Sequence, residues 1–199
     1  FAGCLPLLDA LHTIKLNGNG FGVDACRYLC AGLAKSTTLT SLELANNRIG
    51  DDGVEALCNF AKHNEYLQSM HLDSNLIGDD GMECFHDALM HNRALRNVSL
   101  QMNRMTTIGI NRFMIALQFN AALEHLNLGV NPLGPDGANL VGTCFTINDT
   151  ILSLDLANIN LIVKGNSYGL YGLCNGLARN KTLTRLNLRN NGIQSIHAV

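Results

Sequence analysis

The chain has 199 residues, 47% hydrophobic and 15% charged, which is enough apolar content for a folded core and too little charge for a disordered segment. A formal net charge of −2 and a pI near 6.4 provide no electrostatic attraction for nucleic acid or an anionic membrane surface. No run reaches the ~18 uninterrupted apolar residues of a spanning helix, and "FAGCLPLLDALH" lacks the charged start of a secretory signal.

Aligned on its leucines, the chain begins again at Leu11, Leu39, Leu67, Leu95, Leu123, Ile151 and Leu183, at intervals of 28 residues five times and then 32. A period of this length predicts stacked units that share one core. The frame L-x-x-L-x-L-x-x-N recurs in register: Leu39, Leu42, Leu44 and Asn47, then Leu67, Met70, Leu72 and Asn75, then Leu95, Val98, Leu100 and Asn103. In the second unit Leu42 and Leu44 alternate around Glu43, which predicts a short strand with one buried face. The period then changes: Val54, Leu57, Phe60 and Ala61 fall on one face of a helix. Asp52 with Glu55 fits a capping box at that helix's start, and Asp80 with Glu83 repeats the spacing one unit later. The asparagines of the frame are expected to be buried amides that satisfy backbone groups where strand turns into loop. The sixth unit has Ile159 in that place and an insertion, "NINLIVKGNSYGLYG", so its loop is expected to be rearranged.

This frame resembles the leucine-rich-repeat family, in particular its ribonuclease-inhibitor-like members, whose long repeats each carry a helix. The resemblance spans the whole chain and implies an α/β fold: a right-handed solenoid, a section of a horseshoe, with an inner parallel sheet of about seven short strands and outer helices. Residues 1–199 are then a single repeat domain. Phe1 and Leu5 align with helix positions Leu57 and Ala61, and neither end carries a polar cap, so the expectation is a section of a longer array.

Partner binding is expected at two kinds of surface. On the concave face, outward strand positions nominate Lys15, Glu43, His71, Asp73, Gln101, His125, Asp155, Arg185 and Arg189. On the loops and convex face, the insertion offers Leu161, Ile162, Val163 and Tyr168, while Met114, Ile115 and Phe119 place apolar groups where the preceding unit has His86, Asp87 and His91. His71 and Asp73, with Glu43 and His125, have the side chains of a general base or a metal cluster, but no matched nucleophile accompanies them. "KGNS" lacks the spacing of a phosphate loop, so no cofactor, metal or nucleotide is expected.

Seven cysteines, an odd number without a C-x-x-C pair, are expected to be reduced and mostly buried, which favours a cytoplasmic, nuclear or cytoskeletal setting. Three Asn-x-Ser/Thr triplets, at Asn97, Asn148 and Asn180, read as chance in a chain rich in these residues. The function that follows is a protein-interaction scaffold or ligand-sensing repeat domain without catalytic chemistry, its partner being another protein or a neighbouring domain of the same chain. The alternative, implied by the resemblance, is a GTPase-activating protein of the Ran-directed type, although no residue here maps to that role.

Overall fold

The computed structural model describes residues 10–194. The aligned helix positions Phe1 and Leu5 lie outside these. Strand and helix alternate throughout: β1 (Thr13–Lys15), α1 (Val23–Leu33), β2 (Ser41–Glu43), α2 (Gly50–His63), β3 (Ser69–His71), α3 (Asp79–His91), β4 (Asn97–Ser99), α4 (Thr107–Phe119), β5 (His125–Asn127), α5 (Gly134–Phe145), β6 (Ser153–Asp155), α6 (Tyr168–Leu177) and β7 (Arg185–Asn187). The strands form one parallel sheet in chain order. Register follows the repeat: Leu42 lies beside Ile14 and Met70, and Leu126 beside Val98 and Leu154. Parallel strands sit about 4.8 Å apart, whereas helices need about 10 Å, so the stack curves with the sheet inside. No helix among the described residues is long and apolar enough to cross a membrane.

Apolar side chains from the strand, from the residue just after it and from the helix of successive units form one continuous core: Leu42, Leu44, Val54 and Leu57 in the second unit, Leu126, Leu128, Ala138 and Val141 in the fifth. The T-shaped pair Phe85 and Phe113, with ring centroids 6.0 Å apart, joins α3 to α4.

Two columns of buried asparagine hold the units in register. The first is the expected one. Asn103 Oδ1 accepts from the N–H groups of Asn75 and Ile77 in the preceding unit, at 2.9 and 3.0 Å, and its Nδ2 donates to the carbonyls of Leu72 and Leu100. Asn47 and Asn191 repeat the pattern. Asn19 of the first unit is exposed. Ile159 fills its slot fully buried, and there Leu133 N–H donates to Asn131 O and Gly134 N–H to Ile159 O instead. The same backbone path occurs beside Asn75, where Gly50 N–H takes Asn75 O, leaving Asn75 Oδ1 the one buried side-chain polar atom without a partner among the described residues.

The second column, Asn64, Asn92, Asn120, Asn148 and Asn180, lies where helix returns to strand. Asn92 Nδ2 donates to Ala61 O and Asn64 O of the preceding unit, while its Oδ1 accepts from Ala94 N–H and Leu95 N–H. Asn120 does the same against Leu89 and Asn92. Asn148 and Asn180 of two Asn-x-Thr triplets are thereby committed: each Nδ2 already donates to a carbonyl of the preceding unit.

The capping boxes are corrected. Helices α2 and α3 have no side-chain cap of their own, and neither Asp52 nor Asp80 caps them. The preceding residue of each Asp pair reaches across to the next unit instead. Asp51 Oδ1 accepts from Gly78 N–H at 2.6 Å. Asp79 accepts from Thr106 N–H, Thr106 Oγ1–H and Gly109 N–H at 2.7, 2.7 and 2.9 Å, capping α4. The orphan N–H groups of one helix are thus satisfied by the first turn of its neighbour.

Glycine sets the spacing of α5 and α6. A β-carbon on Gly142 would overlap the carbonyl of Gly172, and one on Gly176 would overlap that of Gly142. The two backbones therefore touch.

Because one Asn103 side chain serves four buried backbone groups, Asn103→Ala should lower the unfolding free energy by about 3 kcal/mol, against less than about 1 kcal/mol for Asn19→Ala, measured by urea denaturation. Asp79→Ala should cost about 1–2 kcal/mol and Asp80→Ala no more than about 0.5 kcal/mol in the same experiment.

Candidate functional site: concave rows and convex edges

The concave face places the predicted polar positions side by side, and most are occupied with one another. Lys15 Nζ lies 2.9 Å from Glu43 Oε1, and this hydrogen bond, with a second from Asn17, holds the Glu43 carboxyl below its usual pKa. His71 and Asp73 do not meet: His71 Nε2 bonds Ser69 Oγ at 2.9 Å, while Asp73 Oδ1 accepts from Ser99 Oγ–H at 2.5 Å and Gln101 N–H at 2.8 Å. Gln101 Oε1 accepts from Asn127 Nδ2, and Asp155 accepts from Ala157 N–H and Asn187 Nδ2. A hollow of about 360 Å³ lies between His71, Ser99, His125 and Asp155. Arg185 and Arg189 stay exposed at the β7 end. Among the described residues no three His, Cys, Asp or Glu side chains converge on a metal position.

On the outer surface the predicted apolar residues divide. Met114 is buried at 2% exposure, and Leu161 is fully buried. Both belong to the core and are corrected as partner contacts. Met114 turns inward beside Phe113 and Leu117 because α4 is apolar around most of its circumference, so periodicity alone did not separate its faces. Ile162 is half-buried against the core, whereas Val163, Tyr168, Ile115 and Phe119 reach solvent, Phe119 at 63% exposure. Reading by unit missed Ile147, which follows Phe119 by one repeat and is also exposed, and Ile108 at 74%. The signal for both was in the alignment: an apolar residue in a row that elsewhere holds His, Arg or Asp.

The strand-to-helix rim was missed as well. The same position in successive units has positive φ, at Asn46, Ser74, Met102, Val130, Asn158 and Asn190. Asparagine tolerates this conformation; Met102 at +56° and Val130 at +58° adopt it against the preference of their side chains.

Charge separates along the helix axes. Acids occupy first turns (Asp24, Asp51, Asp52, Asp79, Asp80, Asp136), and Lys62, His63 and His91 occupy last turns, complementing the helix dipoles. Lys62 Nζ lies 2.8 Å from Asp87, which lowers the Asp87 pKa. All six cysteines among the described residues are unpaired, and burial raises the thiol pKa of Cys26 to about 11 and of Cys144 to about 12. These thiols are poor nucleophiles.

The leucine frame, the parallel sheet and both asparagine columns are joined by direct sequence and structural likeness. The family model described as Leucine Rich repeat matches residues 35–58, 63–85 and 179–195. These three segments are similar to leucine-rich repeats, and the chain has the leucine-rich-repeat fold. Among solved structures, this repeat array is similar to "Leiomodin-1 Actin-Binding Site 2 (ABS2)", at 19% identity and a TM-score of 0.55, covering 90% of this chain and 86% of that one. It is also similar to a tropomodulin C-terminal domain from Caenorhabditis elegans, at 12% identity and a TM-score of 0.54, covering 90% of each chain. At these identities the likeness establishes the leucine-rich-repeat fold. No curated protein matches the sequence.

Met114→Ser should cost about 2–4 kcal/mol of stability and Phe119→Ser less than about 1 kcal/mol, read from urea midpoints at constant slope.

Proposed function

We infer that this repeat array is a protein-binding module with no chemistry of its own, and that actin is the first partner to test. The observation that carries the inference is the set of large apolar side chains at outer positions: Ile108, Ile115, Phe119, Ile147, Tyr168 and Tyr171 are each more than a third exposed. Packing does not require them, because the core is closed beneath by Phe113, Leu117, Cys144 and Leu173. Phe119 and Ile147 occupy the same row in adjacent units, and neighbouring exposed apolar side chains mark surfaces that are covered in use. The concave groups Glu43, Asp73, Gln101 and Asp155 already bond to neighbours within the sheet, so a partner there would have to displace those bonds. Arg185, Arg189 and His125 remain its most available contacts.

Actin enters through the likeness to the leiomodin-1 actin-binding site, a domain of the same fold and nearly the same extent. The GTPase-activating alternative gains no residue from the geometry.

In cosedimentation with filamentous actin, the wild-type chain should pellet with the filaments. The triple variant Ile115→Ser, Phe119→Ser, Tyr168→Ser should stay in the supernatant while keeping its circular dichroism spectrum. Equal pelleting of the two forms would move the contact to the concave rows; no pelleting of either would remove actin as the partner.

A further inference from the structure

The edge formed by the helix N-termini carries a hollow of about 610 Å³ between α3, α4 and α5, lined by Asp80, Glu83, Ile108, Asn111, Arg112 and Leu140. The helix dipole accounts for acids on this edge. It does not account for Ile108, which is 74% exposed in the first turn of α4. The corresponding residues of the second, third and fifth units are Asp52, Asp80 and Asp136. An isoleucine there forfeits a favourable dipole interaction and leaves its side chain in water, beside the half-buried Leu140 on the wall of the same hollow.

The hollow's polar rim is unbalanced. Its cation, Arg112, has Nε 3.3 Å from Glu83 Oε2. Asp80, with Asp136 on one side and Asp52 and Glu55 on the other, forms no ion pair among the described residues. The apolar wall of Ile108 and Leu140 thus lies beside a carboxylate, Asp80, that no cation pairs among the described residues. A second copy presenting this edge to itself would oppose like charges, which disfavours a symmetric dimer here.

We propose that this hollow is the docking site for a basic amphipathic segment of a partner protein. An apolar side chain of the segment enters between Ile108 and Leu140, and its Lys or Arg residues meet Asp80 and the carboxylates on either side. Apolar burial supplies most of the affinity, and the charges select the partner and hasten encounter. The proposal rests on the protein-binding reading above but not on actin being the partner.

The test is a titration of the ¹⁵N-labelled full chain with a Lys/Leu amphipathic helical peptide of about 14 residues, and with its counterpart carrying Glu for every Lys. Amide shifts are expected around Asp80, Ile108, Asn111 and Leu140, with none from the Glu peptide. Ile108→Asn should weaken the Lys peptide by about tenfold or more. That substitution removes the apolar side chain without adding charge at an exposed first-turn position; Leu140→Asn is the second variant and should also weaken binding. Absence of shifts, shifts centred on another face, equal response to the Glu peptide, or undiminished affinity in both variants would overturn the proposal. Actin cosedimentation reads the broader inference separately. A negative result there with shifts at the hollow removes actin and keeps the site; pelleting with shifts elsewhere removes the site and keeps the module.

Discussion

The buried carboxamide is the constraint on which this architecture depends. At the turns of the inner units the backbone leaves its ladder while still inside the protein, and a stranded N–H or carbonyl there costs about 1–3 kcal/mol. An asparagine side chain offers a donor and an acceptor side by side, and at Asn103 it serves groups of two successive units at once. Glutamine would reach too far and aspartate would lack the donor. The stacked leucines supply the apolar burial, but leucines alone would allow neighbouring units to slip. The two amide columns, together with the caps that Asp51 and Asp79 extend to the next helix, fix one unit's height against another's.

Much of this was legible in the sequence. Seven starts in register led to the parallel sheet because a strand's buried face is written in alternate residues such as Leu42 and Leu44. The first asparagine column was equally plain. The second was written just as regularly, three residues before Leu67, Leu95, Leu123, Ile151 and Leu183, but it sits at the end of a helical pattern, where asparagine is easily taken for an ordinary terminus. The Asp caps were misassigned for a related reason. A capping box is a local motif, whereas here the bond runs to a residue 27 positions away. Sequence spacing does not reveal that neighbouring helices begin side by side.

The outer surface was harder to read because its residues are not required to repeat. Met114 and Ile115 are adjacent and both apolar, yet one is buried and the other reaches solvent. Only the angular position of α4 against α3 and α5 decides between them. A functional row is therefore best found by comparing equivalent positions between units. Ile108 stands out against Asp52, Asp80 and Asp136, and Phe119 against His63 and His91. Residues that depart from their own row are free of the demands that made the row.

The touching backbones of α5 and α6 have a geometric outcome for the whole arc. Where side chains separate helices, their axes stand about 8–10 Å apart, and the mismatch with the strand spacing sets the bend per unit. Gly142, Gly172 and Gly176 remove that spacer at one joint, and a closer helix pair outside an unchanged strand spacing calls for less bend between the fifth and sixth units. A single methyl group added at Gly142 would act as a wedge, tightening the bend and rotating everything beyond it, including the insertion with Tyr168 and Tyr171. The orientation of that aromatic edge relative to α4 is thus set by the absence of three side chains.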